Sequence, residues 1–103
     1  MITTIVQFSL PQAMTVVEAK AVFLSTAGKY QSVDGLIRKY YLLSDDGLTA
    51  GGTYLWKSRA QAEAMFTDEW FDFVEGKYGC RPTVSYFASP VVVDNVSGVI
   101  EEG

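Results

Sequence analysis

Along Ile2–Leu10 the hydrophobic positions fall into alternation, with Val6, Phe8 and Leu10 set against Gln7 and Ser9, and Pro11 closes the run. Period-two alternation is strand geometry, so the first element is a strand. Thr15-Val16-Val17-Glu18 then matches a capping box, in which hydroxyl and carboxylate each satisfy an orphan backbone donor. The spacing predicts a helix from about Val16 to Ala27, with Val16, Ala19, Val22 and Phe23 towards one side and Gly28 ending it. Gly35 opens a second strand, Leu36–Leu43, rich in aromatic and branched residues. Ser44-Asp45-Asp46-Gly47 is turn chemistry. A loop carries the chain through Gly51-Gly52 to a third strand, Thr53–Lys57, in a hairpin with the second.

Ser58-Arg59-Ala60-Gln61 is another capping-box match ahead of an alanine-rich helical stretch. Thr67-Asp68-Glu69 restarts or bends that helix, since acids suit a helix N-terminus. Phe66, Trp70, Phe73 and Val74 recur at helical spacing as a core-facing stripe, and Gly79 ends the helix. Pro82–Ala88 is the fourth strand, with Val84 and Tyr86 facing opposite to Thr83, Ser85 and Phe87. The tail from Val91 to Gly103 is apolar, then acidic, without helical period. With no repeat or linker, residues 1–103 read as one α+β domain of order βαββαβ. That is the ferredoxin-like arrangement, a four-stranded antiparallel sheet with two helices on one face.

The other face of such a sheet is solvated only if it is polar. Here Leu36, Tyr40 and Leu42 fall on one side of the second strand and Ile37, Tyr41 and Leu43 on the other, so both sides look apolar. A second copy is the economical cover, and pairing of two sheets in a homodimer is expected. Val91-Val92-Val93, three valines beyond a completed sheet, are expected to cross to that partner.

Composition excludes several alternatives. At 103 residues the chain suits one domain, and its net charge of −4 with only eight Lys and Arg argues against nucleic-acid binding. No apolar run approaches the roughly 18–20 residues that span a membrane. Met1-Ile2-Thr3-Thr4 lacks the basic start of a secretory signal. Cys80 is the single cysteine, which fits a reducing compartment, so the cytoplasm is the expected location. The absence of histidine removes His-based triads and the commonest zinc and haem ligand. With one cysteine and no histidine, no metal site is expected.

Three segments, Gly35–Leu42, Gly51–Ser58 and Tyr78–Val84, resemble the YdhR-like monooxygenases. That family lies within the dimeric α+β-barrel superfamily that includes antibiotic-biosynthesis monooxygenases. With the element order, the resemblance extends over about Ile2 to Asn95. It implies a homodimer whose sheets form a barrel, with a ligand pocket in each subunit between sheet and helices. It further implies oxygenation of an aromatic substrate by molecular oxygen without metal, flavin or haem. Haem-using branches of the superfamily ligate iron through histidine, and this chain departs from them.

Such chemistry requires an electron-rich aromatic held in its deprotonated form, away from water. Tyr54 and Trp56, two apart on one strand face, are candidate walls, with Tyr86 from the fourth strand. Core packing accounts for the same pattern. Trp70 reads as core, or as a roof over the pocket from the helix side. Arg38 and Lys39 are adjacent on a strand with two apolar faces, so they point opposite ways. Burying either unpaired is costly. Each therefore snorkels, pairs with an acid such as Asp72 or Glu75, or faces the pocket to stabilise an anionic ligand. Arg38, sharing a side with Tyr40, is the favoured anion contact; a desolvated Lys39 would instead accept a proton. The expected set is thus Arg38, Tyr54 and Trp56 as catalytic residues and Tyr40, Trp70 and Tyr86 against the substrate. A binding or stress-response protein with the same pocket and no turnover would carry the same residues.

Overall fold

A computed structural model describes Met1–Gly103. In chain order it contains β1 (Ile2–Ser9), α1 (Val16–Tyr30), β2 (Leu36–Leu43), β3 (Thr49–Trp56), α2 (Arg59–Met65), α3 (Asp68–Tyr78) and β4 (Thr83–Ala88). Two short strands follow, β5 (Val91–Asp94) and β6 (Val99–Glu102). Strands β2-β3-β1-β4 form one antiparallel sheet, while β5 and β6 pair only with each other. This is the ferredoxin-like α+β fold. No helix is long and apolar enough to cross a membrane.

Local chemistry sets the helix starts. The Thr15 hydroxyl accepts from Glu18 N, and the Glu18 carboxylate accepts from Thr15 N, closing both halves of the box. Ser58 and Thr67 cap α2 and α3 by accepting from Gln61 N and Trp70 N, both at 3.2 Å. The second helical stretch is thus two helices. Phe66 leaves helical geometry between them (ψ 66°), and its ring turns into the core. Gly79 ends α3 at φ 83°, in the left-handed region that favours glycine.

Two boundaries and one strand register differ from the sequence reading. Helix α1 runs through Gly28 to Tyr30, because the Tyr30 ring packs against Tyr41 and Tyr54 and draws one more turn into the structure. Strand β3 begins at Thr49, so Gly51-Gly52 lie within the sheet and not in a loop. Gly51 is required there: a side chain would collide with the Val6 carbonyl oxygen. In β2 a bulge at Ile37 places Leu36 opposite Trp56 and Arg38 opposite Leu55, which moves Leu36 to the helix side.

The core lies between sheet and helices. Val6 and Phe8 from β1 and Tyr54 and Trp56 from β3 meet Ala62, Phe66, Trp70 and Val74 from α2, α3 and the turn between them. Thr4 is fully buried among them, and its hydroxyl accepts from Trp56 Nε1 at 2.9 Å. Trp56 is therefore satisfied within the core.

Candidate functional site

One row across the sheet reads Lys39, Tyr54, Thr4, Tyr86, all directed at the helices. Below it, Gly52 lacks the Cβ that would otherwise stand 3.2 Å from the Tyr54 ring and 3.4 Å from Lys39 Cε. The Lys39 stem leans across that opening. Helix α1 contributes Phe23, Thr26 and Tyr30 from above, and α3 contributes Trp70, Phe73 and Tyr78. Between them lies a cavity of about 30 Å³, and about 10–15 Å³ accommodates one water. In this conformation it has room for one or two waters.

Lys39 Nζ is caged by ring faces, 3.4 Å from the centroid of Tyr30, 3.8 Å from Tyr41 and 4.6 Å from Tyr54. Ring faces attract a cation, and the attraction strengthens when water is excluded. No carboxylate approaches it within 4 Å, since every ion pair involves an arginine. Burial pushes the Lys39 ammonium down to about 7, and the Lys29 charge adds to the shift. The cage is itself held. Trp70 Nε1 donates to the Tyr30 hydroxyl at 3.1 Å, and the Thr26 and Tyr41 hydroxyls are hydrogen-bonded at 2.8 Å. Burial pushes the Tyr54 and Tyr41 phenols upward, and the Tyr78 phenol to about 12, so these groups stay neutral. Lys39 is the group in this cavity that exchanges a proton near neutrality. Neutral, it accepts a proton; charged, it stabilises an anion beside it.

The structure divides the predicted residues into three places. Tyr54 and Trp70 line the cavity. Trp56 and Tyr86 lie behind it, their rings 5.8 and 6.3 Å from Phe66, whose other neighbours are Tyr54 at 5.3 Å and Trp70 at 4.8 Å. Tyr86 also carries Arg59 over its ring at 4.4 Å. Arg38 and Tyr40 stand on the opposite face. There the guanidinium donates to the Tyr40 hydroxyl at 3.3 Å and approaches Asp94 at 3.6 Å. Alternation beyond the Ile37 bulge sends Lys39, and not Arg38, towards the helices. Asp72 and Glu75, suggested as partners for either cation, pair with Arg81. Tyr30 escaped the sequence reading because α1 was ended before it. Tyr41 was assigned only to a strand face, although its two-residue offset from Lys39 already put both on the same side.

No family model matches the chain, and no curated protein matches it in sequence. Solved structures do resemble it. A Streptomyces coelicolor monooxygenase, ActVA-Orf6, solved with the ligand Nanaomycin D, superimposes with a TM-score of 0.63 at 18% identity, over 85% of this chain and 86% of that one. SnoaB, a cofactor-independent oxygenase from Streptomyces nogalater, gives 0.61 at 16% identity, over 85% and 91%. The Mycobacterium tuberculosis protein Rv0793 gives 0.59 at 13% identity, over 86% and 95%. At these identities the likeness is one of fold.

Proposed function

We propose that the chain is a monooxygenase that uses no cofactor, acting on a phenolic or quinol-like aromatic, with Lys39 as the proton acceptor. The observation that carries this reading is the Lys39 amine, caged by three tyrosine rings and without a carboxylate partner. The neighbouring folds, two of them named as a monooxygenase and a cofactor-independent oxygenase, support it, as does the resemblance to the YdhR-like family. Neutral Lys39 takes the phenol proton, and the resulting ammonium stays against the phenolate. The phenolate is electron-rich enough to reduce oxygen directly. A ring C–H of the phenol and O₂ become a quinone carbonyl and water, so the substrate supplies all the electrons. Tyr54 and Trp70 position the ring, and the apolar walls keep bulk water from the intermediate. The working assembly is a homodimer whose sheets pack face to face.

The test is oxygen consumption by metal-free protein with a panel of phenols and hydroquinones. Turnover is expected for wild type and for Arg38→Gln, and loss of about 10²-fold or more for Lys39→Met. The apparent pKa of a bound chromogenic phenol should rise by about one or two units in Lys39→Met, the worth of one charged hydrogen bond. An unshifted titration would remove Lys39 from the mechanism. Binding without oxygen consumption would make the protein a small-molecule binder with no turnover.

A further inference from the structure

Lys39 faces two spaces. Besides the closed cavity, it lines an open depression of about 250 Å³ between the end of α1 and the start of β2, together with Ala27, Tyr30, Gln31, Leu36 and Tyr41. Tyr30, Lys39 and Tyr41 line both, so the lysine stands where the two spaces meet. Every fully buried side-chain nitrogen in the protein has a hydrogen-bond partner. Lys39 Nζ has none and is held by ring faces alone, so it is not sealed from solvent. It is a half-buried amine that a small molecule can reach.

A second cation bears on the same ring. Lys29 Nζ lies 5.5 Å from the Tyr30 centroid, while Lys39 Nζ lies 3.4 Å from it. Desolvation and a neighbouring cation are two devices that leave a lysine amine neutral and nucleophilic. Both act on Lys39. The cage also suits what a carbonyl would form there. A protonated imine is a cation, and the three ring faces attract it as they attract the ammonium. Carbon dioxide would instead leave an anionic carbamate against the negative faces of the rings.

We propose that Lys39 captures carbonyl compounds, forming a reversible imine with aldehydes whose apolar tails lie in the depression between α1 and β2. The Nζ lone pair bonds to the carbonyl carbon. The carbonyl oxygen then leaves as water with both amine protons, so C=N replaces C=O without oxidant or reductant. Hydrolysis reverses the step. Ala27, Leu36 and two tyrosine rings make the depression largely apolar, which selects alkyl or aryl aldehydes over charged ones. Aldehyde capture goes beyond the proton-acceptor role and does not depend on it. The imine ties up the lone pair that role uses, so an aldehyde also blocks phenol deprotonation.

Hexanal with sodium cyanoborohydride at pH 7 converts each imine into a stable hexyl amine, which peptide mass mapping locates in the full-length protein. The Met1 α-amine also reacts and serves as the internal standard. At pH 7 about half of Lys39 is neutral, against roughly one in a few thousand for a lysine at its ordinary value. Lys39 should therefore carry about tenfold more label than Lys20, Lys57 or Lys77, the remainder being offset by the weaker nucleophilicity of a weaker base. Unfolding in urea should abolish that preference. Ala27→Phe fills the depression and should cut the Lys39 label about fivefold relative to Met1. Gln31→Trp, at an exposed position on the rim, should cut it in the same direction and spares the core. Equal labelling of the lysines in folded wild type overturns the proposal whatever the variants do. A Lys39 label that both variants leave intact overturns the depression as its binding place. Neither phenol nor oxygen enters this measurement, so its failure leaves the proposed function standing, and a protein that consumes no oxygen can still form the imine.

Discussion

Lys39 Nζ lies 3.4 Å from the centroid of the Tyr30 ring, with no carboxylate within 4 Å to balance its charge. In the folded protein it releases its proton near pH 7, against 10.5 for an ordinary lysine. Between those values the unfolded chain binds the extra proton, so stability should rise with pH, by at most about 1.4 kcal/mol per unit. Below about pH 6 both states are protonated and the slope from this residue disappears. The raised Tyr54 phenol acts in the opposite sense only as pH passes its ordinary value of 10.0. Urea unfolding at pH 6, 7, 8 and 9 should therefore show stability climbing in wild type and flattening in Lys39→Met. An unchanged slope in the variant would assign the pH dependence to another group.

The Thr4–Trp56 hydrogen bond connects neighbouring strands where neither side chain meets water. Thr4→Val keeps the volume and leaves the indole N–H unpartnered in the core. It should cost about 1–3 kcal/mol, the desolvation penalty of one buried polar group. Trp56→Phe leaves the hydroxyl unpartnered and also opens space, so it should cost more. The double variant should be less destabilised than the sum of the two, because neither orphan then remains. Strict additivity in denaturant unfolding would mean the pair is not coupled.

Much of the fold was legible because its signals are local. Thr15 with Glu18, Ser58, Thr67 and Gly79 mark helix ends by capping chemistry that needs no knowledge of the tertiary structure. What escaped depends on contacts distant in sequence. Gly28 resembles a stop signal, yet packing of Tyr30 against β2 and β3 carries α1 past it. Gly51 resembles loop chemistry until β1 is known to press against it. The β5–β6 pairing was invisible, since four-residue strands give too short a pattern to show a period. Within the site, alternation established that Arg38 and Lys39 oppose each other. Which one met the helices depended on the β2–β3 register and its bulge, and neither leaves a mark in composition.

The glycines offer a paired test of that register. Gly51→Ala meets the Val6 carbonyl oxygen across β1 and β3, and backbone there cannot give way without breaking the ladder. A loss of about 3 kcal/mol or failure to fold is expected, at the upper end for overpacking. Gly76→Ala lies inside α3 with nothing within 4 Å of the new methyl, and should stabilise by about 0.5–1 kcal/mol. Thermal unfolding of the two variants measures both, and a harmless Gly51→Ala would contradict the close approach of β1 and β3.

The sheet face away from the helices raises the question of what covers it. Arg38, Leu55, Thr3 and Phe87 form one row across it, and Tyr40, Thr53, Ile5 and Ser85 the next. Tyr40 and Phe87 are about half exposed on this face. The β5–β6 ribbon stands beside it, with Val91, Val93 and Ile100 exposed as well. An exposed aromatic sheet face next to an exposed aliphatic ribbon suits burial against a second copy, the ribbon of each subunit reaching across to the other. The Arg38–Asp94 contact within the chain is solvent-accessible, and such pairs contribute little, so it does not bind the ribbon to its own subunit. Sedimentation equilibrium at micromolar concentration should give about twice the chain mass of 11.3 kDa. Ending the chain after Pro90 should weaken the dimer by at least about tenfold, since each buried valine contributes about 1.5–3 kcal/mol. Phe87→Glu should do the same from the sheet side, by placing a charge in the buried face. A monomeric wild type would refute sheet-face pairing. A truncated chain that dimerises as tightly as the full one would keep the pairing and confine β5 and β6 to their own subunit.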